Sequence, residues 1–248
     1  MITIKTKEEI LRMKQAGEIL AACHREIRKL IRPGITTMEI DQFAEKFMKE
    51  HGATPEQKGY HGYPYATCAS VNDVICHGFP SQTPLADGDI VTIDMVVNLN
   101  GWLADSAWSY AVGKVSEKSQ KLLDVTKEAL YKGIEQAVVG NRIGDISHAV
   151  QSFAEQQGYA VVREFIGHGI GQKMHEEPQV PHYGPPHRGP RLKEGMVITI
   201  EPMLNTGTSY SRIDEDGWTA RTFDGGLSAQ YEHTLAITKD GPFLLTEQ

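Results

Sequence analysis

Residues 88–112 read GDIVTIDMVVNLNGWLADSAWSYAV. The stretch is expected to form two strands joined by a tight turn. Ile90–Val97 is rich in β-branched residues, which suit a pleated, packed surface. Asn100-Gly101 is a strong hairpin signal, because both central residues of a type I′ turn need positive φ. With those two as the loop, Leu99 faces Trp102, Asp94 faces Ala107 and Val96 faces Asp105. Alternate side chains share a face, so Asp94 and Asp105 become diagonal neighbours about 7 Å apart at the backbone. Two carboxylates that close on a buried face repel, and each prefers a cation or a proton. Two divalent ions about 3.5–4 Å apart would fit between them. Taken alone, such a pair reads as two solvated aspartates on an exposed face; the rest of the chain tells against that.

The 248 residues carry 25 Lys and Arg against 32 Asp and Glu, a net charge of −7. A nucleic-acid surface is not expected on that balance. A hydrophobic content of 40% and a charged content of 23% are ordinary for a globular domain. Three cysteines (Cys23, Cys68, Cys76) follow no disulfide spacing and suit a reducing compartment. The start, MITIKTKEEI, has no apolar core of signal-peptide length, and no run approaches the ~20 apolar residues of a membrane span. A cytoplasmic protein that makes no membrane contact is expected.

Outward from the hairpin, Lys7 to about Leu30 has helical periodicity, with Thr6 as cap and Pro33-Gly34 as stop. Thr37 opens a second helix that ends near His51-Gly52. Residues 53–65 read as a loop, and Thr67–Val71 and Val74–His77 as short strands. Ser116 caps a helix expected to reach about Val139, and another runs from Ile143 or Gly144 to Gln157. Val161–Ile166, Met196–Glu201 and Gln230–Thr238 read as strands. A weak repeat runs through this order. IRPGITTMEI (31–40) echoes VVGNRIGDI (138–146), and GDIVTID (88–94) echoes GMVITIE (195–201). Asp94 falls on Glu201 and Asp105 near Glu232. The chain is therefore expected to be one domain, 1–248, made of two related halves, about 7–112 and 117–240, of α+β class.

Asp94, Glu201 and Glu232 each interrupt an apolar strand pattern, and buried acids are rare without a partner. His168 adds an imidazole in Gly-His-Gly-Ile-Gly. Four carboxylates and one His form a hard set suited to Mn, Fe(II), Co or Zn. Calcium is the runner-up, and a His ligand argues against it.

The motifs HG (77–78), IDMVVNLNGWLAD (93–105), GHGIGQKMHEEPQV (167–180), TIEPM (199–203) and SAQYEHT (228–234) resemble those of type I methionine aminopeptidases over nearly the whole chain. The resemblance implies a pita-bread fold, in which pseudo-symmetric halves share a curved antiparallel sheet flanked by helices. It implies two divalent metals: Asp94 on one, His168 and Glu201 on the other, Asp105 and Glu232 bridging. The implied reaction is removal of N-terminal methionine before a small second residue, by a metal-activated hydroxide. Glu201 would shuttle the proton, His175 would stabilise the oxyanion, and His77 would contact the substrate backbone or leaving nitrogen. The implied methionine slot is Tyr60, Tyr63, Cys68, Met174 and Trp218. Asn72, Val74 and Ser228 would offer carbonyl oxygens to Na or K. Nascent chains are the implied partners, with transient ribosome association and a monomeric state. His61, His182, His187 and His233 are read as structural or surface residues.

Three departures stand out. Met174 replaces a frequent aromatic, Gln57 a small or apolar residue, and Trp108 follows an Ala-Asp-Ser-Ala run where Gly-Asp-Thr is more usual; Trp108 is expected near the metals. The short interval between Glu201 and Glu232 leaves no room for the helical insertion of type II enzymes. A proline-specific aminopeptidase of the same fold and a non-catalytic binding protein are the alternatives.

Overall fold

The computed structural model describes residues 1–248. Its first helix, α1 (Lys7–Leu30), starts at a capping box: the Thr6 hydroxyl accepts the Glu9 N–H while Glu9 accepts the Thr6 N–H at 2.7 Å. These two bonds satisfy donors that every helix start leaves open. Helix α2 (Thr37–Glu50) repeats the device with Thr36 and Glu39. After the short strand β1 (Thr54–Pro55) come β2 (Cys68–Val71), β3 (Val74–Cys76) and the hairpin β4 (Ile90–Leu99) and β5 (Trp102–Ala111). Helices α3 (Glu117–Glu135) and α4 (Ile143–Gln156) follow, then β6 (Ala160–Val161), β7 (Gly167–Gly169) and β8 (Glu176–Val180). The chain closes with β9 (Val197–Ile200), β10 (Met203–Asn205), β11 (Ser211–Ile213), β12 (Ala220–Thr222), β13 (Ser228–Gln230), β14 (His233–Thr238) and β15 (Gly241–Leu244).

The hairpin has the register expected of it, with Leu99 opposite Trp102, Asp94 opposite Ala107 and Val96 opposite Asp105. Asn100 and Gly101 both take positive φ, 53° and 83°. Along its other edge β4 pairs with β1 and β2. Between those two partners the Gln57 side chain continues the pairing. Its Oε1 accepts the Val96 N–H at 2.6 Å and its Nε2 donates to the Asp94 carbonyl at 3.3 Å. A five-stranded sheet in the order β15-β14-β9-β7-β8 carries the second set of site residues. All its pairings are antiparallel.

The main core joins the two regions. Ile27, Ile40, Met48, Ile93 and Met95 belong to the same apolar cluster as Leu130, Ile146, Ile198, Ile200 and Leu235, all fully or almost fully buried. A β5–β14 seam crosses it: the Thr234 hydroxyl accepts the Asp105 N–H and donates to the Asp105 carbonyl, and Glu232 N–H donates to Ala107 O at 2.9 Å.

Five expectations need correction. The third helix stops at Glu135 rather than Val139, where Gln136 to Asn141 turn back on one another. Val161–Ile166 is not one strand, because after Val162 the chain leaves the sheet and Glu164, Phe165 and Ile166 line a cavity. Gln230–Thr238 is broken at Tyr231-Glu232, and Glu201 lies one residue beyond β9. Trp108 lies away from the acids. Strand alternation turns it to the opposite face of β5 from Asp105, where its ring meets Tyr231 at 4.8 Å and Lys127 at 5.1 Å.

Candidate active site

The acids converge where the hairpin, β7, the end of β9 and the β13–β14 break meet. Together with His168 and His175 they line a cavity of about 290 Å³. His168 Nε2 is 3.7 Å from Asp105 Oδ2 and 3.6 Å from Glu201 Oε1. Ligand atoms of Asp105, His168 and Glu232 all lie within 4.8 Å of one another. Asp94 closes the group beside Asp105, and Glu201 stands beside Glu232.

Backbone and neighbouring side chains hold His168 and Glu201 in place. His168 Nδ1 faces the Gly169 carbonyl at 2.9 Å, which puts the proton on Nδ1 and leaves the Nε2 lone pair for a ligand. Gly169 itself must lack a side chain, since a Cβ there would stand 2.2 Å from the Glu177 carbonyl. The Thr199 hydroxyl accepts the His168 N–H and donates to Glu201 Oε1 at 2.9 Å. His182 Nε2 accepts the Glu201 N–H at 3.0 Å, where the β9 ladder has ended and Pro202 cannot donate. Gln230 Nε2 reaches Glu201 Oε2 at 3.4 Å.

The electrostatics are those of a site suited to a cation. Burial pushes Asp94 up to about 7 and Glu201 up to about 8. Asp105 and Glu232 rise well above the ordinary carboxylate range, from burial first and from neighbouring acids second. Asp105 Oδ1 and Glu232 Oε1 are buried without any hydrogen-bond partner. Orphaned carboxylate oxygens facing a neutral imidazole are costly unless a cation takes them. The oxygen-rich donor set with one nitrogen fits divalent ions of the Mn, Fe, Co or Zn type.

A second group frames the rest of the cavity. Burial pushes His77 down to about 4, so it is neutral at pH 7. Its φ of 56° is a strained conformation for a non-glycine residue, of the kind that collects at functional sites. Its ring meets Phe165 and Trp218 edge-on at 5.3 Å and 6.3 Å. Tyr63 is buried against Trp218, and its hydroxyl donates to the Thr67 and Gly78 carbonyls. Tyr60, expected as a slot wall, also places its hydroxyl 2.9 Å from His175 Nδ1. His175 stacks edge-on to His168 at 4.4 Å, and burial lowers its pKa. Cys68 and Met174 line the same cavity. Asn72 and Ser228 meet elsewhere, the Ser228 N–H donating to the Asn72 carbonyl at 2.9 Å.

Sequence reasoning missed Thr199, His182, Gln230 and Phe165. Thr199 had a signal, its period-2 spacing from Glu201. His182 had none, because only the fold brings it to the end of β9.

A buried cluster of acids and one imidazole, opening on an apolar cavity, defines a metal-dependent hydrolase. Residues 11–239 match the model of metallopeptidase family M24. The chain is 51% identical to methionine aminopeptidase 1 of Bacillus subtilis over 246 residues, 99% of each chain. The crystal structure of methionine aminopeptidase from Rickettsia prowazekii superposes with a TM-score of 0.98 at 42% identity, covering 99% of this chain and 100% of that one. The prolidase of Pyrococcus furiosus matches with a TM-score of 0.79 at 26% identity, covering 99% of this chain and 65% of that one. The chain belongs to the M24 metallopeptidases. Its fold is the α+β pita-bread arrangement of the methionine aminopeptidase structures.

Proposed function

We propose that the protein removes N-terminal methionine from nascent proteins and peptides whose second residue is small, using divalent metal. The observation that supports this most is the convergence of Asp94, Asp105, His168, Glu201 and Glu232 on one cavity that continues into an apolar slot. Asp94 would hold one ion, His168 and Glu201 a second, and Asp105 and Glu232 both. Divalent ions bound there supply Lewis acidity, which polarises the scissile carbonyl and makes water a nucleophile near neutral pH.

The chain's own groups do the rest. With the Tyr60 hydroxyl, 2.9 Å away, donating to His175 Nδ1, the His175 proton would sit on Nε2. As a neutral imidazole, His175 can then donate to the oxygen that becomes negative as the carbonyl is attacked. His77, also neutral, contacts the substrate backbone or the leaving nitrogen. Glu201, oriented by Thr199, carries the proton to the leaving amine. Tyr60, Tyr63, Cys68, Met174 and Trp218 wall a slot for an unbranched thioether. A sodium or potassium ion at the backbone oxygens of Asn72, Val74 and Ser228 would tie the turn between β2 and β3 to β13; Ser228 Oγ, buried without a partner, supports a polar occupant there.

The same reading makes the protein a cytoplasmic monomer of two related halves that meets nascent chains, transiently at the ribosome. No helix is long and apolar enough to cross a membrane. Methionine release from Met-Ala-Ser and Met-Leu-Ser tests the function, with Mn or Co added and with chelator. Release from the Ala peptide alone, abolished by chelator, is expected. Cleavage of an Xaa-Pro peptide instead would favour the prolidase-like alternative, and no hydrolysis with any metal a binding protein.

A further inference from the structure

Lys5 is a charged residue on an N-terminal arm that precedes α1, yet its side chain is only 5% exposed. Lysines are almost never buried unless paired. The partner here is Glu176, with Nζ 2.6 Å from Oε2 and the carboxylate side chain 12% exposed. The Thr3 hydroxyl donates to the same oxygen. The arm is fixed at its other side by the Lys5 N–H, which donates to the Gly195 carbonyl at 2.8 Å just before β9.

Glu176 directly follows His175. Residues 171–175 make up all but the first residue of the six-residue link from β7 to β8, with no strand pairing of their own. Few bonds hold them: Leu103 N–H to Gly171 O, Gly171 N–H to Lys173 O, Lys173 N–H to Glu176 Oε1, and the contact of the Tyr60 hydroxyl with His175 Nδ1. The loop packs directly on the ion pair. A Cβ at Gly171 would stand 2.7 Å from both Lys5 Cε and Glu176 Oε1. A buried ion pair adds little net stability compared with an apolar pair of similar volume, whereas its geometry is specific.

We propose that Lys5 is a positioning residue. Through its buried pair with Glu176, the N-terminal arm holds the 171–176 loop, and with it Met174 and His175, against the cavity. Its effect on turnover rests on the hydrolase reading above; its effect on the loop does not.

The test uses the full chain with Lys5→Met, Glu176→Gln and the double variant. Lys5→Met keeps the apolar stem and removes the charge. Amide hydrogen exchange is followed in the metal-free protein, and kcat and KM for Met-Ala-Ser are measured per folded molecule in the loaded one. Lys5→Met is expected to speed exchange at 171–176 while leaving α3 and α4 at wild-type rates. It should lower kcat about tenfold with KM changed less than about twofold, because a small displacement of a positioned group costs turnover. Adding Glu176→Gln to Lys5→Met should cost nothing further, since both act through one contact. Wild-type exchange at 171–176, wild-type kcat per folded molecule, or losses that multiply in the double variant would each overturn the proposal. A wild-type protein that releases no methionine would instead count against the hydrolase reading, and the exchange data would still decide whether Lys5 holds the loop.

Discussion

A single hydroxyl shows how finely the centre is set. Thr199 accepts from His168 N–H and donates to Glu201 Oε1, so one side chain orients two metal-ligand candidates. Thr199→Val keeps the shape and removes both bonds. It should weaken manganese binding by about 10–100-fold, as loss of such supporting hydrogen bonds does elsewhere; calorimetric titration measures it. A second residue-scale prediction concerns pH. Burial pushes His24 down to about 3, with its ring nitrogens satisfied by Tyr110 Oη at 2.8 Å and the Ser106 carbonyl at 3.2 Å. The unfolded chain binds a proton near pH 6.5 that the folded one refuses. His24 therefore costs nothing above pH 6.5, and stability falls as pH drops from 6.5 toward about 3, by on the order of 5 kcal/mol in total. In His24→Gln, unfolding free energy measured between pH 7 and 4 should fall with a slope about one proton shallower. The acids were legible in the sequence because each interrupts an apolar strand. His182 and Gln57 were not, because each replaces a missing strand partner, and only the assembled sheet shows where a partner is missing.

At the scale of elements, the hairpin was the most legible part, since turn chemistry and alternation agree on one register. Gly101 at φ 83° is required by that turn, and left-handed backbone costs other residues roughly 1–2 kcal/mol. Gly101→Val should lower the thermal midpoint by several degrees without altering metal binding, because the turn lies beyond the end of β4, several residues from both Asp94 and Asp105. Strands were misread where they deliver a site residue. The strand pattern runs through Tyr231-Glu232, but the ladder breaks there, as Glu232 N–H turns to Ala107 O across the seam. The stretch Val161–Ile166 likewise splits, and Phe165 reaches His77. Hydropathy reports burial, and residues buried around a cavity look the same in sequence as residues buried in a sheet.

Across the whole molecule, acids from widely separated segments meet because the β5–β14 seam and the shared core press the hairpin against the second sheet. Without a cation the meeting is unfavourable: three buried carboxylates and the half-buried Asp94 lie together, all displaced upward in pKa, two with orphaned oxygens. The fold should therefore be stabilised by the ion it binds, by about 2.7 kcal/mol at a free metal concentration 100 times Kd. The most direct measurement is thermal unfolding of the chelator-stripped protein during titration with manganese, beside Glu232→Gln treated identically. The wild type should gain several degrees with added metal, while Glu232→Gln, no less stable when stripped, should gain little. A wild-type midpoint that does not move, or an equal shift in both proteins, would contradict a metal centre built from these residues.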